Sequence, residues 1–259
     1  MDRAELKEYF AAAEQTYTFL SQMLFRELNE EAIAQLAGQQ WPRDTGSDTL
    51  DRGYAQLRRF FNFASADARG QLAVEYARIF LAAGVFSQDK MTAVPYESVF
   101  TSELHIMMQE SRDDVVRRYA ADGFVVNPEL HEPEDHLSFE LEYLAHMSRR
   151  SLTALASGDD AALRANAARQ VAFIDAHLLN WIGELHDVAA TYAKTTFYTG
   201  MLLVAKGALE QSRAVLVDVA GLSEDGGATA TAECDEAAEA GASAGAERCA
   251  TAEPAACCA

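Results

Sequence analysis

The chain has 259 residues, 49% of them hydrophobic and 24% charged, enough for one large domain or two small ones with a sizeable core. Its formal net charge of −19 creates a field that repels nucleic acid and anionic membrane surfaces and favours basic ligands, cationic peptides among them. No uncharged apolar stretch approaches the ~20 residues needed to cross a bilayer, and the charged start Met1-Asp2-Arg3-Ala4-Glu5 lacks the apolar segment and cleavage site of a secretory signal. A soluble cytoplasmic protein without stable membrane insertion is expected.

Leu6, Phe10, Ala13, Tyr17, Leu20 and Leu24 recur at alternating steps of four and three, the stripe of an amphipathic helix. Two more helices follow, over roughly 49–64, where Leu50, Tyr54, Leu57 and Phe61 align, and over roughly 66–83, where Leu72, Tyr76, Ile79 and Phe80 share a face. The pattern lapses from Gly84 to Tyr96. Residues 97–108 and 111–121 then read as two helices, the second closed by Gly123. Residues 124–132 contain an Asn-Pro pair and read as a loop or hinge. Three long helical patterns complete the body, roughly 133–157, 159–190 and 193–220, separated at Ser157-Gly158 and by a weak break near Tyr192. No segment alternates with the period of a strand. The fold class is therefore all-α, a bundle of eight to eleven helices built over residues 1–221 as one domain or as two lobes joined near 123–132.

Residues 222–259 differ in kind. After Leu222 there is no Leu, Ile, Val, Met, Phe, Tyr or Trp, so this tail cannot bury enough apolar surface to offset its ordering entropy, and it is expected to be disordered. It holds eight acids against one arginine, which leaves −12 on the body. All four cysteines, Cys234, Cys249, Cys257 and Cys258, lie in the tail. The body thus has no thiol with which to form a disulfide, which fits a reducing compartment, and the cysteine spacing matches no zinc template.

The most informative run is Glu132-Pro133-Glu134-Asp135-His136-Leu137-Ser138-Phe139-Glu140-Leu141-Glu142-Tyr143-Leu144. Proline is favoured at the first helical position. Glu134 and Asp135 would then occupy the first turn, where the helix dipole stabilises an acid by ~0.3–1 kcal/mol, enough to account for both. Projected at 100° per residue, Leu137, Leu141 and Leu144 fall on one side. Asp135, His136, Phe139, Tyr143 and His146 cluster on the other. Such a helix is either central to a bundle, with structural histidines, or lines a binding cleft.

This run resembles the signature of the TorD/DmsD family of redox-enzyme maturation chaperones. Glu75-Tyr76-Ala77-Arg78-Ile79-Phe80 and Pro95-Tyr96-Glu97-Ser98-Val99-Phe100 upstream agree, as do His177-Leu178, Trp181 and Phe197-Tyr198 downstream, so the resemblance spans about residues 6–215. It implies an all-helical chaperone, not an enzyme and without a cofactor or metal, that acts as a monomer or dimer. Its partners would be the twin-arginine leader and the apo form of a molybdopterin (DMSO-reductase-type) oxidoreductase, held for cofactor insertion before export. The family's leader-binding region carries over to Pro133, Asp135 and His136, and more loosely to Tyr76, Phe80, Pro95 and Tyr96. Two features depart from it: the loop 84–94 lacks the prolines many relatives have, and the cysteine-bearing tail has no counterpart. The chemistry points the same way. A leader offers two guanidinium groups and then an apolar stretch, which calls for carboxylates at one end of an apolar groove. Asp135 is placed to meet an arginine directly, and Phe139, Tyr143 and the groove aromatics to pack on the apolar part, with cation–π contact; the sequence does not mark which acid meets which arginine.

One alternative of another class rests on His186-Asp187: helical metal-dependent phosphohydrolases of the HD type use such a pair, with His136 or His146 as an earlier ligand and Asp218 as a later one. Guanine-nucleotide binding, associated with some members of the family, has no local motif here, since the run from Gly200 to Lys206 reads as mid-helix core packing. Ser148-Arg149-Arg150-Ser151-Leu152 looks like a twin-arginine motif, but it is internal and lacks a following apolar stretch of leader length.

Overall fold

Asp2 opens the first helix by accepting hydrogen bonds from the N–H groups of Ala4 and Glu5, while the Glu5 carboxylate accepts from the Asp2 N–H. This reciprocal cap starts α1, Arg3–Phe25. The computed structural model describes residues 1–65, 67–84 and 91–222. A single side-chain acceptor does the same at other starts: Asn29 caps α2 (Glu30–Ala37), Ser47 caps α3 (Asp48–Asn62), Asp67 caps α4 (Ala68–Phe80) and Asp159 caps α8 (Asp160–His177), each taking one backbone N–H. The remaining helices are α5 (Glu97–Thr101), α6 (Glu110–Ala121), α7 (Leu137–Ser157), α9 (Ile182–Tyr192) and α10 (Phe197–Ala220). Among the described residues there are thus ten α-helices, a 3₁₀ turn at Pro128–Leu130, and no strand beyond an isolated antiparallel bridge between Tyr96 and His136. The all-α reading holds, within the expected number of helices.

Helices α7 and α10 are central. α1 and α8 pack on α7, while α3, α8 and α9 pack on α10. The α3–α10 contact is close because glycines stand where the helices meet. A Cβ on Gly207 would lie 2.7 Å from Leu50 Cγ, and one on Gly53 would lie 2.8 Å from Val204 Cγ2. The run from Gly200 to Lys206 is accordingly helix packing. Residues Met1–Glu224 form one compact unit, and the segment after α6 is pinned to α7. Asp122 accepts hydrogen bonds from Tyr143 Oη (2.7 Å) and Arg150 (2.6 Å) on its carboxylate, and its carbonyl meets His146 Nε2 (3.1 Å). The expectations for the tail lie outside the described residues.

Four boundaries differ from the periodic reading, each for a local reason. Helix α2, two turns long, is too short for its pattern to stand out. α5 ends at Thr101 rather than near 108 because the His105 ring takes the Val99 carbonyl (2.9 Å) that a continuing helix would give to an N–H. The pattern over 159–190 is two helices: the Trp181 indole N–H donates to the His177 carbonyl (2.6 Å), which its own backbone N–H would use in an unbroken helix. α7 begins at Leu137 instead of Pro133. The bridge to Tyr96 holds His136 extended (φ −71°, ψ 132°), with the Leu137 N–H donating to the Pro95 carbonyl at 2.9 Å. Pro133 is therefore not at the first helical position, and Glu134 and Asp135 do not sit in the first turn of α7.

Candidate functional site

Four chain segments end beside one another. The C-terminus of α1 brings Phe25, Arg26 and Glu27, the C-terminus of α4 brings Tyr76, Phe80 and Leu81, and the approaches to α5 and α7 bring Pro95, Tyr96, Glu132 and His136; together they line a cleft of about 360 Å³. The joints are specific. Tyr76 Oη donates to the Phe25 carbonyl (2.6 Å), satisfying an orphan acceptor at the end of α1 and tying α4 to it. The Tyr96–His136 bridge ties the other two segments, with the Glu97 N–H donating to the Asp135 carbonyl at 3.0 Å. Tyr96 Oη donates to the Glu132 carboxylate at 2.5 Å.

The walls are aromatic. Phe25, Tyr96 and Phe139 surround the His136 ring at centroid distances of 5.5, 5.1 and 5.6 Å, and Tyr76 meets Phe80 edge-on at 5.2 Å. The Arg26 guanidinium already lies 4.8 Å from the Phe25 ring centroid, so a cation over an aromatic face is part of this surface. The rim carries two carboxylates, Glu27 and Glu132, both close enough to raise the pKa of the Tyr76 phenol, although burial of Tyr76 is the larger cause.

His136 caps α7: its Nδ1 accepts the Ser138 N–H at 3.1 Å, which leaves the proton of the neutral ring on Nε2. Burial pushes its pKa from 6.5 down to about 3. At neutral pH the ring therefore offers the cleft a neutral N–H donor. The sign of the pH effect follows. Between pH ~6.5 and ~3 the unfolded chain binds a proton that the folded chain refuses, so stability attributable to His136 is full above ~6.5 and falls as the pH drops. His136→Asn keeps a capping acceptor and removes the titration. The drop in melting temperature from pH 7 to pH 5 should be smaller in this variant than in wild type, and equal drops would show that His136 does not titrate as its burial implies.

Five of the nine residues singled out from the sequence, Tyr76, Phe80, Pro95, Tyr96 and His136, line the cleft. Phe139 lies behind them, 2% exposed, against Phe25 and His136. Pro133 belongs to the preceding turn, its carbonyl accepting the His136 N–H. Asp135 is not on the surface. It is wholly buried, and its Oδ2 accepts both the N–H (2.9 Å) and the hydroxyl of Ser98, so its carboxylate serves the first turn of α5 rather than that of α7. Burial raises its pKa against the opposing effect of the Ser98 hydrogen bonds. Tyr143 faces another way, into a ring cluster with Tyr119, Phe124 and Phe173. The projected aromatic-polar face of α7 is thus interior, because α7 is a central helix. Phe25, Arg26, Glu27 and Leu81 were not foreseen, since they stand at helix ends where no periodic pattern marks them. Glu132 stands in the quoted run, but nothing in the sequence distinguishes it as the acid that faces outward.

Behind the cleft wall lies a buried polar network. Glu97, the first residue of α5, faces His177 Nδ1 (2.9 Å), and His177 Nε2 faces Asp114 (2.8 Å). Burial pushes the Asp114 carboxyl up, but hydrogen bonds from Arg118 and Arg117 outweigh it and hold the group down at about 2. Glu140, fully buried, has its pKa raised well above the carboxylate range by burial and then by the charges of Glu97 and Asp135. The residues of the phosphohydrolase alternative are dispersed. His186 pairs with its exposed neighbour Asp187 (2.9 Å), His136 is in the cleft, His146 meets the Asp122 carbonyl, and Asp218 lines a separate hollow by Met1 and Arg3.

Comparison with known proteins adds an independent line. Residues 46–187, more than half the chain, match the sequence model of the nitrate reductase delta subunit family. The chain is 26% identical over 215 residues to the chaperone protein TorD of Vibrio cholerae, covering 81% of this chain and 94% of that protein. It is 26% identical over 211 residues to the TorD chaperone of Photobacterium profundum, with coverages of 77% and 94%. To that of Escherichia coli O7:K1 it is 27% identical over 196 residues, with coverages of 71% and 86%. The names of these relatives are those of chaperones and lend nothing to the phosphohydrolase alternative. From the matched residues and from relatives that align over most of its length, the chain belongs to the nitrate reductase delta subunit family, the family of the TorD chaperones.

Proposed function

We propose that this protein is a cytoplasmic maturation chaperone for a molybdenum oxidoreductase, and that the cleft between the ends of α1 and α4 receives the twin-arginine leader of the apoenzyme. One observation carries the reading: Glu27 and Glu132 flank a cleft whose walls are Tyr76, Phe80, Tyr96 and His136. Guanidinium groups are recognised by carboxylates and by aromatic faces, and both are presented here at one opening. The neutral His136 N–H suits a peptide carbonyl, a group every leader has. Asp135 contributes from behind, by fixing the first turn of α5 and with it Tyr96. No helix among the described residues is long and apolar enough to cross a membrane, and binding before export requires none.

Calorimetric titration of the full chain tests this with two synthetic leaders, one carrying the arginine pair and one with both arginines replaced by glutamine. The first should bind about 30-fold more tightly, and its affinity should fall as salt rises, because two exposed ion pairs at ~1 kcal/mol each are screened. Equal affinities for the two peptides would remove the cleft from the account.

A further inference from the structure

Isolated exposed apolar side chains are ordinary on a protein surface, but clustered ones are not. Leu104, Ile106, Met107 and Met108 are 69, 50, 45 and 57% exposed and fall within five consecutive residues between α5 and α6. The loop that carries them has a definite shape. His105 (φ 51°) and Met108 (φ 65°) adopt the left-handed backbone that favours glycine. The His105 ring is fixed on the Val99 carbonyl, and the Gln109 amide donates to the Met107 carbonyl at 3.1 Å. Two exposed acids, Glu103 and Glu110, stand at its ends.

Both ends of the loop are tied to the cleft. At one end only the five residues of α5, ~7.5 Å of helix, separate it from Tyr96. At the other, Arg112 binds the Glu134 carboxylate at 2.6 Å, two residues from Glu132. The cleft itself, at about 360 Å³, is at the small end of the ~300–1,000 Å³ typical of ligand sites and can take a few side chains, not a whole leader. Whatever follows the arginine pair must lie outside it, and six extended residues reach ~20 Å.

We propose that the loop over residues 102–109 is the docking surface for the apolar stretch of the peptide whose arginine pair occupies the cleft, an assignment that rests on the reading of the cleft given above. Methionine suits this role because its unbranched, polarizable side chain adapts to apolar partners of differing sequence. The acids at the loop's ends suit a stretch that begins beside two cations.

The test uses the full chain, an Ile106→Ser/Met107→Ser/Met108→Ser variant and Glu132→Gln. The peptides are the complete leader, a leader cut after the arginine pair, and the apolar stretch alone on a polar solubilising tail. All three replaced side chains are exposed, so the melting temperature should be retained. The loop variant should bind the complete leader about 10- to 30-fold more weakly than wild type does, and the cut leader equally well. Glu132→Gln should weaken both arginine-bearing peptides and leave the apolar stretch unaffected. If the cleft reading alone is wrong, Glu132→Gln changes nothing, yet the apolar stretch still binds wild type and not the loop variant. Unchanged binding of both the complete leader and the apolar stretch to the loop variant would overturn the proposal. So would sedimentation showing that the loop instead joins two copies of the chain, with self-association lost in the variant and peptide affinity unaltered.

Discussion

Glu27→Gln and Glu132→Gln are each expected to weaken a twin-arginine leader about fivefold, and the double variant about 30-fold, with the fold intact. A charge-assisted hydrogen bond removed from a dry site is worth ~1.5–3 kcal/mol. Glu132 is exposed at the rim and already accepts the Tyr96 hydroxyl, so screening and the existing partner reduce the expected loss to ~1 kcal/mol for each carboxylate. Glutamine keeps shape and acceptor capacity, which confines the change to charge. Against the leader with both arginines replaced, wild type and double variant should bind alike, because the charges to be matched are then missing from the peptide. Titration of both proteins with both peptides closes the cycle. A double variant that still prefers the arginine-bearing leader 30-fold would mean that other acids receive the guanidinium groups.

Removing His177 is expected to cost far more, and in stability. Its ring stands between Glu97, 2% exposed, and Asp114, with one nitrogen at hydrogen-bond distance from each carboxylate, so a single side chain links α5, α6 and the end of α8. His177→Ala leaves Glu97 buried beside Glu140 without the ring that its Oε2 faces. Breaking a buried pair from one side costs ~3–5 kcal/mol, which in a body of this size lowers the melting temperature by about 6–20 °C. Glu97→Gln added to His177→Ala should restore part of the loss, because a neutral amide is less costly to bury without the ring than a carboxyl group that can ionise, so the double variant should be more stable than the two single losses predict. A His177→Ala protein melting within 2 °C of wild type, or strict additivity in the double, would show that the pair does not hold α5 against α8.

The bundle was legible where a helix buries one side only, as in the stripe of Leu6, Phe10, Ala13, Tyr17, Leu20 and Leu24, all but Leu6 buried in the core. It was less legible in α7. This helix is covered on both sides, so its polar and aromatic positions face the interior, and projection alone cannot distinguish an interior face from a cleft. The break at residues 178–181 contains neither proline nor glycine; a single indole hydrogen bond makes it, and such a contact has no local signature. For the cleft, the Pro95-Tyr96 and Glu132–His136 pieces were visible as motifs. What they could not convey is that the bridge between Tyr96 and His136 turns Asp135 inward and leaves Glu132 outward, since pairing between residues forty positions apart is decided by tertiary contact. The walls from Phe25 to Glu27 and at Leu81 are supplied by helix ends, whose side chains show no period.

The Asp135–Ser98 contact also bears on how any mutational survey of this protein should be interpreted. Asp135 never reaches the solvent, yet it sets the first turn of α5, and Tyr96 immediately precedes that turn. A library scored only by capture of a labelled peptide will rank Asp135 substitutions beside those of Glu132, and the two will look like neighbouring contact residues on one epitope. They differ in kind. Asp135 variants shift the position of the wall, so their losses should appear with every peptide that touches Tyr96, whatever its charge, whereas Glu132 variants lose only what a cation supplies.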